Sequence, residues 1–158
     1  MSIVIEAPNE VYSVESTHNV KLFLAGGISN CPDWQSEMIK EFDDFQALTI
    51  YNPRRKDFPM DDPKAAEEQI TWEFMQLQNS QIISFWFAKG SLNPIVLYEL
   101  GMWANSRQDK KIFIGIDPEY ERKQDVIIQS SLAKRNFDYY ESVSDMSDAI
   151  KNYIKFIS

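Results

Sequence analysis

The chain has 158 residues, 44% hydrophobic and 25% charged, with a net charge of −8. That length predicts one domain over residues 1–158 with a sizeable core, and the acidity excludes a protein that coats nucleic acid through surplus positive charge. One cysteine and one histidine exclude an internal disulfide, a cysteine-based zinc site, and Ser-His-Asp or multi-histidine metal chemistry.

Residues 2–6 (SIVIE) are the candidate for an extra N-terminal edge strand. Residues 21–25 (KLFLA) are a short apolar run ending at Gly26-Gly27, which predicts a buried strand. Asp33 reads as a helix N-cap, with Trp34, Met38, Ile39, Phe42 and Phe45 following at helical spacing. Residues 47–51 predict a second core strand, stopped by Asn52-Pro53. Pro63, after Asp62, opens a helix whose apolar stripe is Ile70, Phe74 and Leu77. Residues 82–87 (IISFWF) lack both charge and alternation, as a central strand covered on both faces would. Pro94 begins a helix to about residue 106. Residues 111–116 predict a fourth core strand, 122–134 a helix, 137–140 a short strand and 144–156 a final helix. The Met146, Ile150, Tyr153 and Ile154 face of that last helix either covers the sheet, the preferred reading, or permits oligomerisation. Strands alternating with helices imply a five-stranded parallel doubly wound α/β fold with helices on both faces. Its ligand crevice lies beyond the carboxyl ends of the strands. No leader pattern and no run of 18 apolar residues is visible, so a cytoplasmic protein without membrane contact is expected.

The strand ends and the helices that follow them carry the candidate chemistry. Glu99 sits in NPIVLYELGMWA among Ile95, Val96, Met102 and Trp103, with no Lys or Arg at i±3 or i±4. A buried carboxylate without an ion partner is costly, which points to a nucleophile or acid/base at the crevice floor. The other reading is a Glu at the positive end of the helix with its head at the surface. Glu73, after Trp72, is a second candidate, balanced against an ordinary half-exposed helix Glu, whereas Glu67 and Glu68 read as a solvated face. Two carboxyls in one crevice suit chemistry at a sugar C1 atom. Asn52 and the pair Arg54-Arg55 follow a strand end, where a guanidinium either holds a phosphate or makes a structural ion pair. Gly26-Gly27 permits close backbone approach, but AGGISN lacks the spacing of a dinucleotide fingerprint. Trp34, Trp72, Trp86 and Trp103 read mainly as core, with one or two near strand ends able to stack on a base. Cys31 and His18 have no visible partner.

The series FLAGGISNCPDW, YNPRR, TWEFMQLQNSQIISFWF and PIVLYELG resembles the nucleoside 2-deoxyribosyltransferase family, in its transferase-like branch, over roughly residues 1–130. The resemblance implies a flavodoxin-like fold and transfer of 2-deoxyribose between nucleobases through a covalent glycosyl-Glu intermediate. It implies that Glu99 is the nucleophile and Glu73 the group near the base that handles the proton. Gly26, Gly27, Asn52, Arg54, Arg55, Trp72 and Asn93 are the expected substrate-binding residues. The chain departs from the family pattern at Asn93 and Gln81, where that pattern has Asp. Expected partners are a nucleoside or nucleotide and a free nucleobase, with no cofactor, no metal and a homo-oligomeric state. Hydrolysis of deoxynucleoside 5′-monophosphates and non-catalytic nucleotide binding are the alternative functions.

Overall fold

The computed structural model describes residues 1–10, 19–133 and 135–158; His18 and the expected helix end at Lys134 lie outside them. Along these residues run β1 (Ile3–Glu6), β2 (Val20–Gly26), α1 (Trp34–Lys40), β3 (Leu48–Asn52), α2 (Pro63–Asn79) and β4 (Ile82–Phe87). They are followed by α3 (Pro94–Ala104), β5 (Lys111–Ile116), α4 (Lys123–Ser131), β6 (Tyr139–Tyr140) and α5 (Val143–Ile157). All strand pairs among the described residues are parallel, in the order β1-β3-β2-β4-β5-β6. Without β1 this is the flavodoxin-like order, and β1 is the extra edge strand, paired to β3. The order reverses between β2 and β4, so the crevice of the fold opens beyond their carboxyl ends.

Local sequence explains the element boundaries. The Asp33 side chain accepts from the Ser36 N–H and caps α1, and Asp62 accepts from the Lys64 N–H before Pro63. The short strand expected over 137–140 is two residues long, and α1 ends at Lys40, with Phe42 in the turn beyond it and Phe45 just after that turn. Every residue of β4 is buried, as its uncharged run requires. Its alternate residues feed two cores. Ile83, Phe85 and Phe87 meet Trp72, Leu77, Val96, Leu100, Trp103 and Val126 of α2, α3 and α4. Ile82 and Trp86 join Met38 of α1 and Met146, Ile150 and Ile154 of α5 on the other face. The apolar face of α5 is thus covered by its own sheet. Gly115 belongs to this packing, because a Cβ there would collide with the Trp86 ring.

Two expectations about helix faces need correction. On α2, Leu77 is buried but Ile70 and Phe74 are exposed; the helix packs on the sheet through Ala65, Trp72, Gln76 and Leu77. On α3, Val96, Leu100 and Trp103 are buried, whereas Ile95 and Tyr98 are exposed. Apolar spacing alone does not distinguish a face that meets the sheet from one that walls a cleft. At Gly101, in α3, an added Cβ would meet nothing within 4 Å.

Candidate active site

A cavity of about 660 Å³ opens beyond the ends of β2 and β4, between α2 and α3. The end of β2 and the loop after it supply one wall through Ala25, Gly26 and Gly27. Ile70, Glu73 and Phe74 come from α2, and Ile95, Glu99 and Met102 from α3. Most of the surface is apolar, and the ionisable side chains among the described lining residues are Glu73, Tyr98 and Glu99. The apolar residues left exposed on α2 and α3 are therefore the cavity rim.

Glu99 is 8% exposed, although its helix could have turned it to water. Burial first, then the nearby Glu73 charge, pushes its carboxyl up to about 8. Glu73 is half-buried and is also raised by burial, while a hydrogen bond from Gln69 pulls it back. Gln69 Nε2 donates to Glu73 Oε1 at 2.7 Å and to the Pro53 carbonyl at 2.8 Å. Two interacting carboxyls in an apolar cleft cannot both ionise easily, so the pair retains one proton near neutral pH.

The glycines explain how this floor is built. A Cβ on Gly26 would strike the Trp34 ring and the Trp86 carbonyl, and one on Gly27 would strike Asn93 Oδ1 and Cys31 Sγ. The Gly27 carbonyl is held at 3.2 Å by both Trp34 Nε1 and Gln35 Nε2. Asn93 lies in the cavity wall with φ of 50°, a conformation Asn tolerates better than most residues. Its Nδ2 donates to the carbonyls of Ala88 and Ser91, and its Oδ1 accepts from Cys31 Sγ at 3.4 Å. Cys31 thus has a partner after all.

Four of the expected substrate-binding residues lie outside the cavity wall. Arg54 Nε donates to Gln35 Oε1 at 2.9 Å, and its Nη2 donates to the carbonyls of Ile28, Cys31 and Pro32. Asp33 adds an ion pair at 3.3 Å, so this guanidinium clamps the loop after β2 and has little left for a phosphate. Arg55 pairs with Glu68 at 3.2 Å and covers the Phe58 ring. Asn52 is buried and turns the chain by accepting from the Arg54 N–H. Trp72 is core: its ring packs on Phe23 and Tyr51, and its Nε1 donates to the Asn9 carbonyl. Trp34, Trp86 and Trp103 are likewise buried and do not line the cavity. Gly26, Gly27, Glu73, Asn93 and Glu99 do meet there. Gln35, buried beneath the loop, carried no sequence signal; Gln69 carried one, its position four residues before Glu73 on the same helix.

No individual curated protein matches the sequence. A family model matches residues 19–120, the stretch that contains both carboxyls, the Gly26-Gly27 strand end and the Asn93 turn. The chain belongs to the nucleoside 2-deoxyribosyltransferase-like family.

Proposed function

We propose that the chain is an N-glycosyltransferase that moves a deoxyribosyl group from one nucleobase to another through a covalent intermediate on Glu99. The observation that carries this reading is the Glu99 carboxyl, buried in an apolar cavity with a second carboxyl in the same wall and, among the described residues, no ion pair to offset its charge. In this reading the one proton of the pair passes from Glu99 to Glu73 as substrate binds; one Glu99 oxygen then attacks C1′ as the C1′–N bond breaks, and the bonding electrons leave with the base. Glu73 delivers the proton that the departing nitrogen takes up. An incoming base then attacks C1′ from the vacated side and returns its proton to Glu73, so two inversions give net retention. The Gly26-Gly27 backbone forms the wall at the end of β2, with Trp34 and Asn93 packed against it, and Asn93 continues that wall. The described lining residues include no Lys, Arg or His, which favours an uncharged nucleoside over a 5′-monophosphate.

The exposed apolar rim, with Ile70 68%, Ile95 64% and Tyr98 71% accessible, supports a homo-oligomer in which a second copy covers the cleft mouth. The test of function is incubation with a deoxynucleoside, with and without a different free base, followed by chromatography of products. Exchanged nucleoside is the expected result. Base release without exchange would assign hydrolysis, and no product from any nucleoside or nucleotide would refute the catalytic reading.

A further inference from the structure

Gln69 is the one polar side chain that touches either carboxyl of the pair among the described residues. It stands one helical turn before Glu73 on α2, where i,i+4 neighbours meet. Its amide has two N–H groups and one oxygen. Both N–H groups are spent on acceptors, the Pro53 carbonyl and Glu73 Oε1, while the buried Oε1 finds no partner among the described residues. The reversed amide would satisfy nothing better. It would point Oε1 at the Pro53 carbonyl, which can only accept, and leave the N–H groups with no acceptor among the described residues. The backbone at Pro53, at the end of β3, therefore dictates which end of Gln69 meets Glu73.

We propose that Gln69 is a positioning residue for Glu73: the Pro53 carbonyl fixes its amide so that Nε2–H always donates to Glu73 and favours the carboxylate that proton delivery creates. This rests on the glycosyl-transfer reading of the site. As Glu73 gives its proton to the leaving base, its developing negative charge falls on an oxygen that already accepts a hydrogen bond, with no reorganisation needed. The same bond holds the carboxylate in place to receive the proton of the incoming base. Glu99, facing from α3, has no such donor among the described residues, so the resting proton of the pair is biased toward Glu99. The other ionisable group in the cavity wall is the Tyr98 hydroxyl, also from α3; the lining residues from β2, its loop and Pro53 are not ionisable.

The experiment uses Gln69→Met, which keeps the length of the side chain and removes the donor. Carboxyl ¹³C shifts of Glu73, followed against pH in the substrate-free protein, should give a midpoint about one pH unit higher in Gln69→Met than in the wild type. In the exchange assay the variant should lose about tenfold in kcat with KM little changed, and lose less with a nucleoside whose base is a good leaving group. Coincident Glu73 midpoints would overturn the proposal even if exchange proceeds. A shifted midpoint in a protein that performs no exchange would instead refute the transfer reading and leave the Gln69–Glu73 link standing. If Gln69→Met does not fold, the wild type supplies the test. The Gln69 side-chain amide protons should shift with the Glu73 midpoint, and amide protons insensitive to that titration would overturn the proposal.

Discussion

Replacing Glu99 by Gln should flatten the pH dependence of stability. Glu99 binds its proton more tightly in the folded chain than in the unfolded one, where its midpoint is near 4.5. Between 4.5 and about 8 the folded state retains a proton that the unfolded chain has released. The stability linked to this group is therefore complete below about 4.5 and is lost progressively as pH rises toward 8. At about 1.36 kcal/mol per pH unit, the interval corresponds to roughly 5 kcal/mol, of which roughly 3 kcal/mol has been lost by pH 7. Part of that sum arises from Glu73 and belongs to the pair. Glu99→Gln keeps the shape and removes the titration, so variant and wild type should lie closest near pH 5. The variant should gain on the wild type by several kcal/mol toward pH 8. Gln carries its own buried amide, which adds a pH-independent offset; the slope of the difference is what decides. Urea denaturation at pH 5, 6, 7 and 8 measures it. Parallel curves for the two proteins would show that Glu99 is not desolvated as its position requires, and would refute the reasoning.

Gly101→Ala should stabilise the protein by about 0.5–1 kcal/mol in the same urea assay, because the site is helical and a Cβ there meets nothing. A loss of stability would mean that the α3 surface is covered in solution. Arg54→Met should cost about 2–3 kcal/mol by releasing the loop carbonyls of Ile28, Cys31 and Pro32, and should leave the preference between a nucleoside and its 5′-monophosphate unchanged. A selective loss of monophosphate binding would return Arg54 to a ligand-binding role.

The fold was legible because its signals are short-range. Uncharged IISFWF suits a strand buried on both faces, Asp33 and Asp62 mark helix starts by capping backbone N–H groups, and Pro63 and Pro94 do so through their fixed φ and missing N–H. The placement of Glu99 was legible for a related reason: an acidic residue in an otherwise apolar helix conflicts with its neighbours, and the structure puts it in a cavity wall. What the sequence left ambiguous depends on tertiary direction. Arg54 follows a strand end as a phosphate ligand would, yet its side chain turns back under the loop after β2. Ile70 and Phe74 carry core spacing on a face that the sheet does not reach. Trp72 adjoins Glu73 in sequence but points into the core, as successive helix residues do not share a face.

The central claim is a covalent bond between Glu99 and the sugar. Intact-mass measurement after incubation with a 2′-fluorinated deoxynucleoside, whose electron-poor sugar slows the second displacement, tests it directly. The account predicts an increase equal to one fluorinated glycosyl group, mapped by peptide fragmentation to Glu99 and absent from Glu99→Gln. Base exchange by a protein that never carries the adduct, or an adduct mapped to another residue, would contradict it.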